Sequence, residues 1–128
     1  MGIYVNPGNK AFTKALNSKI YIDKTKLIAT VNDRLGTSDS YLCVSRPRRF
    51  GKSMAADMLV AYYSKGCDSS ELFTRKEIEK DELFKTHLNQ HNVIRLDVQQ
   101  FLFHTSHLNI FINQIQEAVI KELRLEFG

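Results

Sequence analysis

Apolar residues recur at helical spacing in four stretches of the chain. The longest predicts an amphipathic helix from about Ser106 to Phe127, and another predicts a helix that begins near Met54 and ends near Gly66. A third predicts a helix from Lys24 to about Leu35, with Asp23 as its N-cap residue. A short helix is also expected near Phe12 to Leu16.

Two apolar runs are too short for helices and predict strands. Tyr41 to Ser45 contains no alternating polar positions, which is typical of a central parallel strand that is buried on both faces. Asn92 to Val98 predicts a second strand, and the charged stretch between residues 67 and 92 predicts one or two short helices with a break near Thr74 to Lys80. This order predicts an α/β domain with a parallel sheet flanked by helices, of the P-loop NTPase type.

A parallel sheet of only two strands would leave its edges exposed. We therefore expect the sheet to be incomplete and the chain to be the N-terminal part of a longer protein. The alternative is that a second chain completes the sheet, as in a homo-oligomer. Within the 128 residues we expect an N-terminal arm over 1–19 and one domain over 20–128.

Composition places the chain among soluble globular proteins, with 43% hydrophobic and 25% charged residues. No apolar run approaches the roughly 20 residues that a membrane span needs. The first residues lack the basic and apolar regions of a secretory signal, so we expect a cytoplasmic protein with no membrane partner. Cys43 is expected to be a small buried hydrophobic residue of the first strand and Cys67 a loop residue, both reduced.

The stretch S-R-P-R-R-F-G-K-S, Ser45 to Ser53, connects the first predicted strand to the helix that follows. It matches the second half of the phosphate-binding motif G-x-x-x-x-G-K-[ST], with Arg46 in the slot of the first glycine. Gly51 allows a tight turn close to an anion. Lys52 would contact the β- and γ-phosphates of a nucleotide, and the hydroxyl of Ser53 would bind Mg²⁺.

This motif predicts binding of ATP with Mg²⁺. No N-K-x-D segment for guanine is present, which favours adenine. The arginines add planar donors for phosphate oxygens. The complete set of predicted nucleotide-binding residues is Arg46, Pro47, Arg48, Arg49, Phe50, Gly51, Lys52, Ser53 and Met54.

Other functions fit the same residues. Much of the net charge of +4 is concentrated in this stretch. A nucleic-acid or protein interaction module could use the basic patch of Arg46, Arg48 and Arg49 without hydrolysing a nucleotide. A small-molecule kinase would share the loop, although no acceptor site is recognisable in the sequence.

Three segments together resemble the N-terminal part of the bacterial AAA-ATPase-like proteins: Y-I-D-K-T-K-L-I (Tyr21 to Ile28), S-R-P-R-R-F-G-K-S-M (Ser45 to Met54) and N-V-I-R-L-D-V (Asn92 to Val98). The resemblance implies that Arg46 to Ser53 form the nucleotide phosphate loop and that Arg46 is the family's own residue there.

The resemblance also implies that the full-length protein is an ATPase. Many members of the family carry a nuclease-like domain of the PD-(D/E)XK type at the C-terminal end, which would add nucleic acid as a partner. The family's acidic Walker B segment, which resembles I-D-E-Y-D, is not found in these residues and would lie beyond Gly128.

Asp97 is a weak candidate for a catalytic or metal-binding carboxylate, because Val93 to Asp97 is an apolar run followed by an aspartate, although Arg95 interrupts the run and no acidic residue follows. The alternative is an ordinary residue at a strand end or in a turn. Tyr21 and Asp23 could contact the nucleotide base, or they could be a buried tyrosine and an N-cap aspartate.

The histidines and several aromatic residues offer further candidates. The histidine spacing permits a zinc site, but no cysteine or carboxylate completes it, so surface histidines are favoured. The aromatic residues could stack on nucleic-acid bases, but their spacing favours a place in the core. The residues concerned are His87, His91, His104, His107, Tyr62, Tyr63, Phe101 and Phe103.

Overall fold

The computed structural model describes residues 3–17, 23, 25–43, 52–97 and 108–128, with Lys52, Ser53, Leu108 and Asn109 described by their backbone alone. The described residues form α-helices separated by turns and extended segments. Two 3₁₀ helices, Ser70–Phe73 and Glu77–Lys80, lie between the third and fourth α-helices. The α-helices are α1 (Lys10–Leu16), α2 (Lys26–Arg34), α3 (Lys52–Tyr63), α4 (Phe84–His87) and α5 (Leu108–Phe127).

The predicted helices are confirmed. Most of the helix ends lie within two residues of the predicted positions. The N-cap prediction for α2 is wrong, because α2 starts after Thr25. Asp23 instead accepts hydrogen bonds from the backbone N–H and the hydroxyl of Thr25, at 2.9 and 2.7 Å. The predicted break at Thr74 to Lys80 is wrong in its second half, which forms the 3₁₀ helix Glu77–Lys80.

The predicted parallel sheet is wrong. The described residues contain no β-strand, and their only extended pairings are two isolated bridges. One bridge joins Val5 to Ile94 in antiparallel orientation, and the other joins Ser64 to His91 in parallel orientation. The described part of the chain is therefore helical, and the α/β class does not hold for it.

The first predicted strand fails because its described residues are exposed. Tyr41 is 95% exposed and Leu42 is 39% exposed. Cys43 is also exposed, so its predicted burial is wrong. A parallel strand needs packing on both faces, and the helices here pack on each other instead. Val44 and Ser45 lie outside the described residues.

The second predicted strand pairs with the N-terminal segment and with no parallel neighbour. The N–H of Asn6 donates to the carbonyl of Val93 at 2.7 Å, and the N–H of Arg95 donates to the carbonyl of Tyr4 at 2.8 Å. Asn6 has a positive φ of 45°, and within the described residues a single bridge, Val5 to Ile94, joins the two segments. Val98 lies outside the described residues.

Tyr62 of α3 lies at the centre of the core and is fully buried. Its hydroxyl donates to the carbonyl of Phe84 at 2.6 Å and accepts from the side-chain amide of Asn32 at 3.2 Å. Burial raises the pKa of this hydroxyl, so it stays protonated as a donor. The buried cluster consists of Phe12, Ile28, Met58, Ala61, Tyr62, Tyr63, Phe73, Ile78 and Phe84.

The last carbonyl groups of α3 are satisfied by a distant segment. The side-chain amide of Asn89 donates to the carbonyl of Ala61 at 3.0 Å. The backbone N–H of Asn89 donates to the carbonyl of Tyr62 at 2.6 Å. The N–H of His91 donates to the carbonyl of Tyr63 at 2.9 Å. The C-terminal end of α3 is therefore fixed by hydrogen bonds as well as by packing.

Helix α5 is attached to the N-terminal segment by one carboxylate. Glu122 accepts backbone N–H hydrogen bonds from Ile3, Tyr4 and Val5, at 2.7, 2.7 and 2.8 Å. Partial burial acts to raise the pKa of Glu122, but these three donors outweigh it and lower the pKa. Although α5 is 20 residues long, neither it nor any other helix in the described ranges is long and apolar enough to cross a membrane.

Candidate functional site

The start of α3 is where the sequence predicts a phosphate site. The helix begins at Lys52, directly after Gly51 of the motif, as the motif requires. Lys52 and Ser53 form part of its first turn, and Met54 is half-buried. Arg46 to Gly51 lie outside the described residues.

The first turn of α3 carries no acidic residue. A helix start presents backbone N–H donors and the positive end of the helix dipole, so an anion is favoured there. The first carboxylate along the helix is Asp57, and it forms an ion pair with the guanidinium of Arg95. The negative charge closest to the helix start within α3 is therefore balanced by a partner.

The Asp57–Arg95 pair is shielded from solvent, with side-chain exposures of 18% and 32%. Partial burial makes such a pair more persistent than an exposed one, because water competes less for the charges. The pair also attaches the segment 92–97 to the side of α3. Asn89 and His91 hold the C-terminal end of α3, so the described contacts fix the middle and the end of the helix.

Asp97 lies at the end of the described segment and is exposed. It is not part of a preformed acidic cluster: across the described ranges, no group of three or more His, Cys, Asp or Glu side chains could hold a metal ion. The structure places Asp97 two residues after Arg95, on the segment that follows α3.

Asp23 has a structural role in the described geometry. Besides Thr25, its carboxylate accepts a hydrogen bond from the backbone N–H of Glu77 at 3.1 Å. Partial burial acts to raise the pKa of Asp23, but hydrogen bonds from Thr25 and Glu77 outweigh it and lower the pKa. Asp23 thereby ties the start of α2 to the second 3₁₀ helix. Tyr21, its predicted companion at a base, lies outside the described residues.

His87 and His91 are brought together as their spacing allows. Nδ1 of His87 lies 2.9 Å from Nε2 of His91, and the rings stack with centroids 5.1 Å apart. Burial lowers the pKa of His91, and the charges of His87 and Lys65 lower it further. The described side chains add no third metal ligand to this pair. His104 and His107 lie outside the described residues.

Of the four aromatic candidates, two lie within the described residues and two lie outside them. Tyr62 and Tyr63 belong to the core, as their spacing favours, and Tyr63 is 8% exposed. Neither ring presents a face for stacking on a nucleic-acid base. Phe101 and Phe103 lie outside the described residues.

Sequence reasoning missed three polar side chains that hold the site's surroundings: Asn89, Arg95 and Glu122. Arg95 interrupts an otherwise apolar run, which signals a charged partner nearby. Asn89 has a positive φ of 54°, a conformation that asparagine tolerates better than most residues. The binding of three N–H groups by Glu122 had no local signal, because those groups lie more than a hundred residues away.

Comparison with known families adds one finding. A family model described as "Predicted AAA-ATPase" matches residues 8–127, which is nearly the whole chain. The chain belongs to the AAA-ATPase-like family, and the resemblance found in the sequence is confirmed. Searches of the curated proteins and of the solved structures gave no match.

Proposed function

We propose that the protein binds ATP with Mg²⁺ through Arg46 to Ser53, at the start of α3. The observation that carries the proposal is that α3 begins at Lys52, immediately after Gly51 of the motif. This is the loop-to-helix transition at which backbone N–H groups receive phosphate oxygens. The membership of the chain in a family described as predicted AAA-type ATPases supports the same class of ligand.

Each residue of the motif has a defined part in this proposal. Gly51 lets the backbone approach the phosphates, and Lys52 places a point charge on the β- and γ-phosphates. Arg48 and Arg49 supply further planar donors. The hydroxyl of Ser53 would hold Mg²⁺, which when bound neutralises the charge that develops on the phosphate oxygens during transfer.

The electrostatic surroundings of α3 support an anion at its start. A carboxylate in the first turn would repel a triphosphate, and the first turn has none. Asp57 lies one turn further along, and its pairing with Arg95 reduces its repulsion. A hydroxyl and phosphate oxygens are also the hard donors that Mg²⁺ prefers, so the residues at this position fit the metal.

Isothermal titration calorimetry with Mg²⁺·ATP tests the proposal. The Lys52→Ala variant should lose about 10- to 100-fold in affinity, because it removes a charge-assisted contact to phosphate. The matched control is Lys65→Ala, an exposed lysine beyond the opposite end of α3. Circular dichroism would verify that both variants keep the helical fold.

Equal ATP affinity in wild type and Lys52→Ala would contradict the proposal. The interaction-module alternative predicts a different result in a parallel titration with a single-stranded oligonucleotide. In that case binding would fall steeply with added salt and would survive the loss of Lys52 alone.

A further inference from the structure

We propose that the outer face of α5 binds a second copy of this chain, with the two α5 helices antiparallel about a two-fold axis. The outer face consists of Ile112, Glu117, Ile120, Arg124 and Phe127. This partner is a protein, and its binding does not depend on a nucleotide. The basis is the exposure of apolar side chains on this face and the order of the charges along it.

The opposite, inner face of α5 is attached to the rest of the protein. Phe111 is buried, and Glu122 accepts hydrogen bonds from three backbone N–H groups of the N-terminal segment. At about 100° per residue, Ile120 lies about 160° away from Glu122 around the helix axis. The attachment of α5 therefore leaves the side that carries Ile120 uncovered.

Large apolar side chains are exposed along this uncovered side. Ile112, Ile120 and Phe127 are 45%, 46% and 58% exposed. They lie within about 80° of one another around the axis, so they form one stripe about 22 Å long. Ile110 and Leu125 are exposed outside this stripe. An apolar stripe on the outside of a charged helix is typical of a helix that packs against another one.

Charged residues border the stripe. Glu117 and Arg124 are seven residues apart, so they lie on the same edge of the stripe, about 10 Å from each other along the axis. A shallow groove on α5 is lined by these two residues together with Ile120, Lys121 and Leu125. Within the described ranges, neither Glu117 nor Arg124 forms an ion pair. Both charges are therefore available to a partner.

A second copy of α5 fits this order of charges. When two such helices lie antiparallel with a two-fold axis beside Ile120, Glu117 of each copy faces Arg124 of the other. Ile120 lies next to the midpoint between positions 117 and 124, so the two Ile120 side chains meet between the two ion pairs. Opposite charges beside an apolar seam are the pattern that sets partner and orientation in paired helices.

The same charges disfavour a parallel pair. That arrangement would place Glu117 against Glu117 and Arg124 against Arg124, and like charges opposite each other repel. Pairing is thus antiparallel and reciprocal, as in an isologous dimer. Because the paired stripe is only about 22 Å long, the dimer is weak and its population depends on protein concentration.

Sedimentation equilibrium of the 128-residue chain tests the dimer. The protein would be measured from about 1 μM to about 1 mM. A thiol reductant is required, because the exposed Cys43 could otherwise join two copies by a disulfide. We expect the average mass of wild type to rise from that of one chain towards that of two. Ile120→Asp places a charge at the centre of the stripe and should remain a monomer throughout.

Two charge reversals distinguish this pairing from any other. Glu117→Arg and Arg124→Glu each give positions 117 and 124 the same sign. Each variant alone should dimerise at least about tenfold more weakly than wild type, since its two copies repel each other. An equimolar mixture should recover most of the wild-type affinity. In the mixed dimer the two substituted side chains face each other with opposite charges, and so do the two unsubstituted ones.

The matched control is Glu82→Arg, which makes the same change of charge at an exposed position outside α5. It should dimerise as wild type does. Circular dichroism would verify that every variant keeps its helical content, as expected because the substituted residues of α5 are exposed.

Three results would overturn the proposal. Wild type that stays a monomer at the highest concentration would exclude a second copy as the partner of this face. Self-association that is equally strong in Glu117→Arg or Ile120→Asp would place the interface elsewhere. Reversals that each weaken the dimer, without recovery in the mixture, would contradict the antiparallel pairing. Because no nucleotide is added, the proposed phosphate site stands or falls separately.

Discussion

Asn89 holds the end of α3 with more hydrogen bonds than a simple cap provides. Its side-chain amide donates to the carbonyls of Ala61 and Ser64, and its side-chain oxygen accepts from the N–H of Ser69 at 2.9 Å. These groups are partly buried, so a group that lost its hydrogen bond to Asn89 would have little access to water as a replacement partner. Asn89 therefore supplies several of the hydrogen bonds that fix the C-terminal end of α3, the helix at whose start we propose the phosphate site.

Replacing Asn89 should destabilise the protein measurably. Asn89→Gly keeps the positive φ and removes only the side chain, so we expect the free energy of unfolding to fall by about 1–3 kcal/mol. Asn89→Ala should cost more, because alanine is strained in the left-handed region. Urea denaturation measures both, with the exposed neighbour Gln90→Ala as control. Equal stability of Asn89→Gly and wild type would contradict this account of the helix end.

Stability should also depend on the ionisation of His91. Its pKa is lowered from the ordinary 6.5 in the folded state, so the unfolded chain binds more protons over that range. The contribution of His91 is therefore complete above its unfolded pKa and is lost as the pH falls through the folded pKa. The charged groups that face it are His87 and Lys65.

Denaturation at a series of pH values measures this effect. We expect the free energy of unfolding to decline as the pH falls below about 6.5, before the carboxylates begin to titrate. His91→Gln should flatten the decline in that range. A decline that is unchanged in His91→Gln would assign the effect to other groups.

At the scale of elements, α5 is held to the rest of the protein by hydrogen bonds between a side-chain carboxylate and backbone N–H groups. The carboxylate of Glu122 gathers three N–H groups of the N-terminal segment, which in turn pairs with residues 93–95. The buried aromatic Phe111 adds packing at the start of α5. The N-terminal segment therefore connects α5 to the chain that runs along α3.

Glu122→Ala should release this connection. We expect the free energy of unfolding to fall by about 1–3 kcal/mol, as for hydrogen bonds to a charged group. The lowered pKa of Glu122 means that its contribution is present above the ordinary value of 4.5 and is lost as the pH falls through the folded pKa. Hydrogen exchange of residues 3–6 should accelerate in Glu122→Ala and stay unchanged in the exposed control Glu117→Ala.

Helices were predictable from the sequence, whereas the pairing of extended segments was not. The helical period of residues such as Ile28 and Met58 records which face is buried, and both lie in the core. An apolar run such as Tyr41–Cys43 indicates only that burial of its side chains would be favourable, and it does not specify a covering layer. Whether such a run forms a strand depends on distant partners, which local sequence does not encode.

The same distinction applies to the candidate site. The motif predicted a helix after its phosphate loop, and α3 begins at Lys52, two residues before the Met54 near which the apolar period placed the start. It could not predict the Asp57–Arg95 pair, because those residues are 38 positions apart and neither belongs to the motif. Contacts between remote charged residues follow from the tertiary arrangement.

At the scale of the whole molecule, our account assigns one role to the described helices, which is to restrict the movement of α3. Packing around Tyr62, hydrogen bonds at the C-terminal end and the Arg95 pair act on the second half, the end and the side of the helix. Fixed donors bind an anion more strongly than mobile ones, because less order must be created on binding. The described contacts therefore hold the middle and the C-terminal half of α3, the helix at whose start we propose the phosphate site.

The most direct test is to locate bound nucleotide by the backbone amide resonances of the protein in solution. On titration with Mg²⁺·ATP, our account predicts that the largest chemical-shift changes occur at Gly51 to Met54, while Glu117 to Lys121 of α5 remain unchanged. Shift changes confined to other parts of the chain, or none at saturating ATP, would contradict the claim that the start of α3 binds the triphosphate.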